Sequence, residues 1–448
     1  MNGMLPDGHQ LISEKGETVT VGPLFGAGGQ GEVYLARTAQ GDRAVKWYYP
    51  AQATEMQRHI LEGLVQLAWR DDRFLWPQSL VVDPKALSGG FGYLMDVRPA
   101  AFQDLQALFR RDPSVAKVDR RVQVMTALNI VEAYHALHAR GIAYRDINWG
   151  NVFFNPVTGD VLVCDNDNAV FEGSNAAVAG TMDFMAPELV RGDPGAKPGT
   201  QSDLHSLAVL LFMLFMNHHP FQGKLALDIR CLDEPAQRRL YGTRPVFVYD
   251  PANDTNRPVP GEQDTVIATW RTIPAVLRDL FVQTFTRGLG DPTERARESE
   301  WRSALSTVLD NVLPCGQCGK LNLTQAGGPA PDCWKCGQRL VLPAQLEILT
   351  GVGVVRRSRT ISLVPGSRVY RHHVVGDVDR HDFTAIVGEV TEHPKNPGRF
   401  GLTNRSSSAW HSRRPDGTGQ PVEAGRTVGL RAGTTIDFGA GTEGVVKA

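Results

Sequence analysis

The chain has 448 residues, more than one hydrophobic core ordinarily serves, so two or three domains are expected. Its 42% apolar and 21% charged residues are those of an ordinary soluble protein, and a formal net charge of −1 argues against a global pull toward nucleic acid or acidic membrane. No stretch approaches the roughly 18 consecutive apolar residues of a membrane span; the longest, Leu207 to Met216, has the length of a buried helix. The first residues lack the basic flank and apolar core of a secretory leader, so a cytoplasmic protein is expected.

The first patterned element is glycine-rich: Leu24-Phe-Gly26-Ala-Gly28-Gly29-Gln-Gly31-Glu-Val33-Tyr34. Such letters also open dinucleotide-binding folds, but there the glycines lead into a helix. Here Glu32 to Arg37 alternates as a strand and passes through Thr38-Ala-Gln-Gly-Asp to a second strand, Arg43 to Tyr49. In such a hairpin the amides around Gly26, Gly28, Gly29 and Gly31 approach triphosphate oxygens, and Val33 with Ala44 covers an adenine. Lys46, ending Ala-Val-Lys, is then expected to reach the alpha and beta phosphates of ATP.

Lys46 needs a carboxylate to hold it. From Ala51 to Ala68 the apolar residues Met56, Ile60, Leu61, Leu64 and Leu67 recur with a helical period. Two acids compete for the lysine. Glu62 stands at the commoner distance, whereas the apolar pattern turns Gln57 inward and leaves Glu55 near it. Gly92-Tyr-Leu-Met95-Asp96-Val97 then reads as a strand ending in a hinge, where backbone groups of Asp96 to Arg98 would bond the adenine edge with Met95 behind it.

A long apolar helix, Val122 to Ala139, leads to Ala143-Tyr-Arg-Asp146-Ile-Asn-Trp-Gly-Asn151, with an Asp five positions before an Asn. That spacing is how a phosphotransfer loop arranges a base and a magnesium ligand. Asp146 is expected to orient an acceptor hydroxyl and take its proton, and Asn151 to hold Mg2+. Val161-Leu-Val-Cys-Asp165-Asn-Asp167 is an apolar strand ending in acids. Its phasing makes Asp165 the chief magnesium ligand and Asp167 the runner-up, and hard oxygen donors suit that ion. Downstream, in Gly180-Thr181 to Ala186-Pro187-Glu188, Thr181 is expected to bond Asp146 and Glu188 to pair with Arg295. Asp203 would brace the catalytic loop from the following helix. Between Asp165 and Glu188 the hydroxyls are Ser174 and Thr181, and a phosphate on Ser174 would pair with Arg145.

In their order these motifs resemble the eukaryotic-like (Hanks-type) Ser/Thr protein kinases across residues 17–312, a bilobal fold with a small lobe at 17–97 and a large lobe at 98–312. More narrowly, Asp146-Ile-Asn-Trp-Gly-Asn151, the Asp165-Asn-Asp167 acids and Leu211 to Phe221 are similar to a bacterial branch associated with tellurite-resistance-type gene clusters. The resemblance implies Mg-ATP-dependent phosphorylation of protein hydroxyls in bacterial signalling. It also implies a metal-dependent protein phosphatase and a von Willebrand factor A protein as partners.

The chain departs from the family pattern at three places: Tyr144 stands for a His, Asn148 for a phosphate-binding Lys, and Asn166-Asp167 for Phe-Gly. Loss of that lysine charge would slow transfer by about 1 to 3 orders of magnitude. Because Lys46, Asp146, Asn151 and Asp165 persist, an active kinase is favoured over a pseudokinase scaffold. A small-molecule phosphotransferase would use the same four residues but would not need the Ala-Pro-Glu segment or Arg295.

Four of the six cysteines form Cys315-Gly-Gln-Cys318 and Cys333-Trp-Lys-Cys336, fourteen residues apart and each followed by Gly; Cys164 and Cys231 stand singly. Two such knuckles predict a zinc ribbon at 313–342 with four thiolates around a structural Zn2+. Few basic residues flank it, so a spacer or docking role is expected rather than nucleic-acid binding.

Residues 345–448 read as short strands, Gly351–Arg357, Thr360–Val364, Phe383–Thr391, Thr427–Leu430 and Thr434–Phe438, punctuated by Pro365-Gly, Asn396-Pro-Gly, Pro415-Asp-Gly and Arg431-Ala-Gly. An all-β sandwich follows. Its last strands resemble a forkhead-associated domain, with Arg371, Arg405 and Ser407 as loose candidates for phosphothreonine contact. The whole is thus a multidomain α+β chain: a bilobal kinase fold, a zinc ribbon and a β-sandwich.

Overall fold

Alternating apolar positions in the first hundred residues close a barrel from β1 (Gln10–Ser13), β2 (Thr18–Ala27), β3 (Gly31–Thr38), β4 (Gly41–Tyr48), β5 (Ser79–Val82) and β6 (Phe91–Met95). The strand order is β1-β2-β3-β4-β6-β5, and β1 pairs with β5 to complete it. The computed structural model describes residues 3–85, 90–174, 180–351, 357–376 and 380–448. The barrel begins before residue 17, because Leu11 and Ser13 of the four-residue β1 point inward and Leu5 joins the same core. Helix α1 (Glu55–Gln66) crosses over from β4, its first turn capped by the Thr54 side chain on the Gln57 amide, and it buries Leu61 and Leu64.

The large lobe is built around two helices, Arg120–His138 and Thr200–Met216. From Ser202 to Met216 every residue of the second helix is buried. At about 1.5–3 kcal/mol per large apolar side chain removed from water, this helix is the lobe's main apolar anchor. It also carries one buried acid, Asp203, which would be costly without partners. The short strands Ile142–Ala143, Val152–Phe154, Val161–Val163 and Val170–Phe171 frame the loops that carry the candidate site residues.

The chain divides into two compact units, one of residues 1–118, 125–264 and 280–299, the other of 119–124, 265–279 and 300–448. Among the described residues the second unit contains two cysteine knuckles, a two-stranded pairing of Leu313–Pro314 with Leu321–Asn322, and two larger sheets. The six-stranded sheet runs Arg357–Ser362, Gln345–Thr350, Thr442–Lys447, Thr435–Gly439, Trp410–Arg413, Gly419–Val422; the four-stranded one runs Arg368–Tyr370, Ile386–Glu392, Phe400–Asn404, Thr427–Gly429. Leu346, Ile348, Val390, Leu402, Trp410, Ile436 and Val446 belong to one core drawn from both sheets. Asn311, fully buried, ties this unit together: its amide donates to the Thr307 and Thr360 carbonyls at 2.7 and 2.8 Å and accepts from Ser362 Oγ at 2.8 Å. Thr324, beside the knuckles, donates to its carbonyl.

The turn signals at Asn396-Pro-Gly and Pro415-Asp-Gly each fall between paired strands, and Arg431-Ala-Gly falls where the chain passes from the four-stranded to the six-stranded sheet. The strand expected at Gly351–Arg357 has residues 352–356 outside the described set; Arg357 opens the strand Arg357–Ser362 instead. The segments at 345–350, 368–370, 400–404, 410–413, 419–422 and 442–447 form strands that the sequence pattern did not indicate. Their outer faces carry charges and glycines, and Gly419–Val422 includes a proline that only an edge strand tolerates.

Candidate active site

Lys46 sits in the middle of β4 with 4% of its surface exposed. Strand alternation puts Tyr48 on the same face, and the β4–β6 register sets Tyr93 directly opposite Lys46. Three donors therefore point to one place. Asp167, fully buried, fills it: Lys46 Nζ lies 2.9 and 3.0 Å from its two carboxylate oxygens, Tyr93 Oη donates at 3.1 Å, and Tyr48 Oη donates as well. Lys46 also donates to Asp165 Oδ1 at 3.3 Å and to Gln30 Oε1 at 2.8 Å. Burial pushes the ammonium toward neutrality, but Asp167 and Asp165 outweigh it and hold the Lys46 pKa above its usual value. The same carboxylate raises the Tyr48 and Tyr93 pKa values on top of their burial, so both stay protonated donors.

Neither acid weighed for Lys46 reaches it. Glu62 pairs with Arg58 at 3.1 Å and lies 3.9 Å from His59 on the outer side of α1, and Glu55 is an exposed first-turn residue. What α1 turns inward is Gln57, whose amide donates to the Asp167 carbonyl at 3.0 Å and to Tyr48 Oη at 3.3 Å. The runner-up assignment of Asp167 to magnesium meets a carboxylate already saturated by protein donors. Asp165, by contrast, keeps 43% of its side chain exposed beside Lys46. It sits at a left-handed φ of +50°, which turns it out of the strand Val161–Val163 that delivers it.

The Asp146 loop is held from three sides. Asp203 accepts the backbone amides of Tyr144 and Arg145 at 2.6 and 2.9 Å, which supports Arg145 at a φ of +73°. His138 links Asp203 Oδ2, at 3.1 Å, to Glu298. Burial opposes protonation of this imidazole, but its bonds to Asp203 and Glu298 outweigh that and raise its pKa to about 9. Tyr144, in place of His, donates its hydroxyl to the Cys164 carbonyl and so fastens the loop to the residue before Asp165.

Within the loop, Asp146 Oδ1 accepts the Thr181 amide at 2.9 Å and hydroxyl at 3.0 Å, and Oδ2 accepts the Asn151 amide at 3.0 Å. Asn148 has its own work: its carbonyl caps Gly150 N at 2.7 Å and its amide donates to the Asp146 carbonyl and Thr181 Oγ1 at 3.1 and 3.2 Å. Ser174 is half-buried and its hydroxyl donates to the Phe171 carbonyl at 2.7 Å, while Arg145 Nε donates to Asn168 O at 2.6 Å; residues 175–179 of this segment lie outside the described set. Arg295, fully buried, grips Glu188 with two bonds of 2.9 and 2.7 Å.

Apolar side chains of the small and large lobes meet. Val33, Ala44, Met95 and Val97 share one apolar cluster with Phe153 and Leu162 of the large lobe. A Cβ added at Gly26, Gly28 or Gly29 would meet nothing within 4 Å, so their backbone borders open space. At Gly31 it would come 2.2 Å from the Trp47 carbonyl, so this glycine serves the β3–β4 pairing. Asp96, at the hinge, lies 3.7 Å from Arg43 Nε. Gln30, Tyr48, Tyr93 and His138 were not singled out from the sequence. The period-2 phase of β4 could have flagged Tyr48; nothing local could have flagged the others.

In the second unit the four sulfurs of Cys315, Cys318, Cys333 and Cys336 lie within 4.8 Å of one another, with Cys315–Cys336 at 3.7 Å and Cys318–Cys333 at 3.6 Å. Four sulfurs at about 2.3 Å from a tetrahedral zinc are about 3.8 Å apart, so the donor set fits that ion. Each knuckle closes in the same way: Gly319 N bonds Cys315 O and Gly337 N bonds Cys333 O, both at 2.9 Å. Both glycines take a left-handed φ, +70° and +72°. Backbone amides of Cys318 and Gln317 hold the Cys315 thiol below its usual pKa. On the sandwich, Arg405 is paired with Glu389 at 2.8 Å, and Arg371 and Ser407 are exposed.

Residues 93–257 match the protein kinase domain family. The match runs from β6 through the Asp146 loop and the Thr200–Met216 helix, and leaves Lys46 and the glycine hairpin outside it. Similar proteins include the serine/threonine-protein kinase mos of Patiria pectinifera, 29% identical over 45% of this chain and 58% of its own. The dual specificity protein kinase Ttk of Danio rerio is 26% identical over 48% of this chain and 22% of its own. The serine/threonine-protein kinase PkaB of Streptomyces coelicolor is 24% identical over 79% of this chain and 76% of its own. The chain thus spans little more than half, or less, of the first two relatives. No helix among the described residues is long and apolar enough to cross a membrane. The family match and these relatives together support a protein kinase domain within this chain.

Proposed function

We propose that the chain is an ATP- and Mg2+-dependent kinase that phosphorylates Ser or Thr hydroxyls of proteins. The observation that carries this reading is the Asp146 carboxylate, oriented by Thr181 on one oxygen and Asn151 on the other, in the same compact unit as the Lys46–Asp165 pair. A carboxylate so held accepts the proton of a bound hydroxyl as its oxygen attacks. Val33, Ala44, Met95 and Phe153 would flank the adenine, and Lys46 would hold the phosphates. Magnesium, when bound by Asn151 and Asp165, would supply charge neutralisation at the transferring phosphoryl group. The Glu188–Arg295 lock favours protein acceptors over metabolites, since it fixes the segment on which a peptide would lie.

Asn148 offers no positive charge, so turnover should be slow, but its bonds to Asp146 and Thr181 keep the base in place. The test is transfer of labelled gamma-phosphate from ATP to protein and to metabolite acceptors in parallel. Incorporation into protein Ser or Thr supports the reading; incorporation into metabolites alone would replace it.

We further propose that the four cysteines bind a structural Zn2+. With all four positions filled by thiolates there is no open coordination site for a substrate, so the ion serves folding. One zinc per chain, measured on purified protein, is the expected result, and a metal-free, fully folded protein would contradict it.

A further inference from the structure

Protein kinases need their nucleotide-binding lysine held, and here the holder lies in an unexpected place. We propose that Asp167, not an acid of helix α1, is the positioning residue for Lys46, so that the ion pair is set within the cleft and does not depend on where α1 stands. The inference rests on the kinase reading above and deepens it. Its basis is geometric. Asp167 is fully buried and receives Lys46 on both oxygens, at 2.9 and 3.0 Å, with Tyr93 at 3.1 Å and Tyr48 completing its acceptor capacity. A buried carboxylate this well satisfied is costly to displace, and it fixes the ammonium's direction more narrowly than one contact would.

The other candidates are engaged elsewhere. Glu62 is paired along its own helix with Arg58, and Glu55 is exposed at the first turn. Helix α1 packs Leu61 against the cluster that contains Tyr48 and Tyr93 and hydrogen-bonds there through Gln57, a neutral amide that donates to the backbone carbonyl of Asp167 at 3.0 Å and to Tyr48 Oη at 3.3 Å, not to the Asp167 carboxylate. Moving α1 would break those two neutral bonds, neither of which is part of the Lys46–Asp167 pair. Asp165 immediately precedes the short turn Asn166–Asn168 that carries Asp167, so the lysine anchor and the exposed acid beside it are positioned together.

The experiment compares three full-length proteins, wild type, Asp167→Asn and the double variant Glu55→Ala/Glu62→Ala, by ATP KM and kcat and by titration with a fluorescent ATP analogue. Asp167→Asn keeps the shape and a carbonyl acceptor for the tyrosines. It is expected to raise the ATP KM and the analogue Kd about tenfold or more. A purely structural role would instead lower kcat through loss of active protein with KM unchanged. The double variant is expected to stay within about twofold of wild type in both constants, and it keeps the proposal testable should Asp167→Asn fail to fold. A wild-type KM and Kd in folded Asp167→Asn, or a tenfold rise in the double variant, would overturn the inference. If the wild type itself binds no ATP analogue, it is the kinase reading that falls.

Discussion

The cleft around Lys46 and the cysteine knuckles both gather polar side chains at one point, but they neutralise them differently. In the first unit, with the cleft, these buried charges have protein counter-charges: Lys46 with Asp167, Arg295 with Glu188, and His138 with Asp203 and Glu298. In the knuckles four sulfurs face one another with a buried apolar core of only Leu313, Cys315, Cys333 and Leu340. The first arrangement is complete as protein; the second needs an ion to hold it. The lesson is that a converging set of side chains points to a missing partner only where it lacks its own compensation.

The sharpest way to break this comparison is to remove the ion. Zinc binding in such sites is worth about 10–16 kcal/mol. Chelation or Cys315→Ser is therefore expected to unfold the knuckles while leaving ATP-analogue binding intact, as hydrogen exchange at 315–340 against the Kd would show. Equal loss at both sites would erase the distinction.

Next in size is Arg295→Ala, which strands Glu188 beside a guanidinium-shaped void and costs about 3–5 kcal/mol. The expected readout is a large fall in the melting temperature of the first unit, with the zinc content unchanged.

His138 sharpens the comparison by pH. Its folded pKa of about 9 exceeds the unfolded value near 6.5, so its contribution is fully present below about pH 6.5 and is lost as pH rises through about 9. The contribution is at most about 3 kcal/mol. Denaturant titrations of wild type and His138→Gln should differ most at pH 6 and converge near pH 10; a gap independent of pH would contradict the assignment. The smallest effect is expected for Asn311→Ala, which removes bonds to Thr360 and Ser362 and should cost the second unit about 1–3 kcal/mol. Calorimetry should show only that unit's transition moving.

Much of the Asp146 neighbourhood was legible in the sequence because its partners are fixed by spacing: Asn151 five residues on, Thr181 after a glycine, and Asp203 opening an apolar helix. The holder of Lys46 was not, since it depends on the phases of two strands, β4 and β6, and a turn meeting at Asp167. Helix periodicity turned Gln57 inward, as the structure has it, but spacing drew attention to Glu62, which α1 turns outward. In the sandwich, strands flanked by Gly-containing turns were readable. Those such as Gln345–Thr350 and Gly419–Val422 were not: Gly419–Val422 is an edge strand with three exposed residues and a proline, and Gln345–Thr350 has one of its two partners far along the chain, at Thr442–Lys447.

The central claim is that Asp146, Asn151, Asp165 and Lys46 serve one phosphoryl transfer. Purified full-length protein incubated with Mg2+ and ATP beside a protein acceptor, then mapped by mass spectrometry, tests it directly. The account predicts phosphate on Ser or Thr residues with wild type and a loss of about 100-fold or more with Asp146→Ala at unchanged ATP affinity. Equal phosphate incorporation by the two proteins, or none by the wild type, would contradict it.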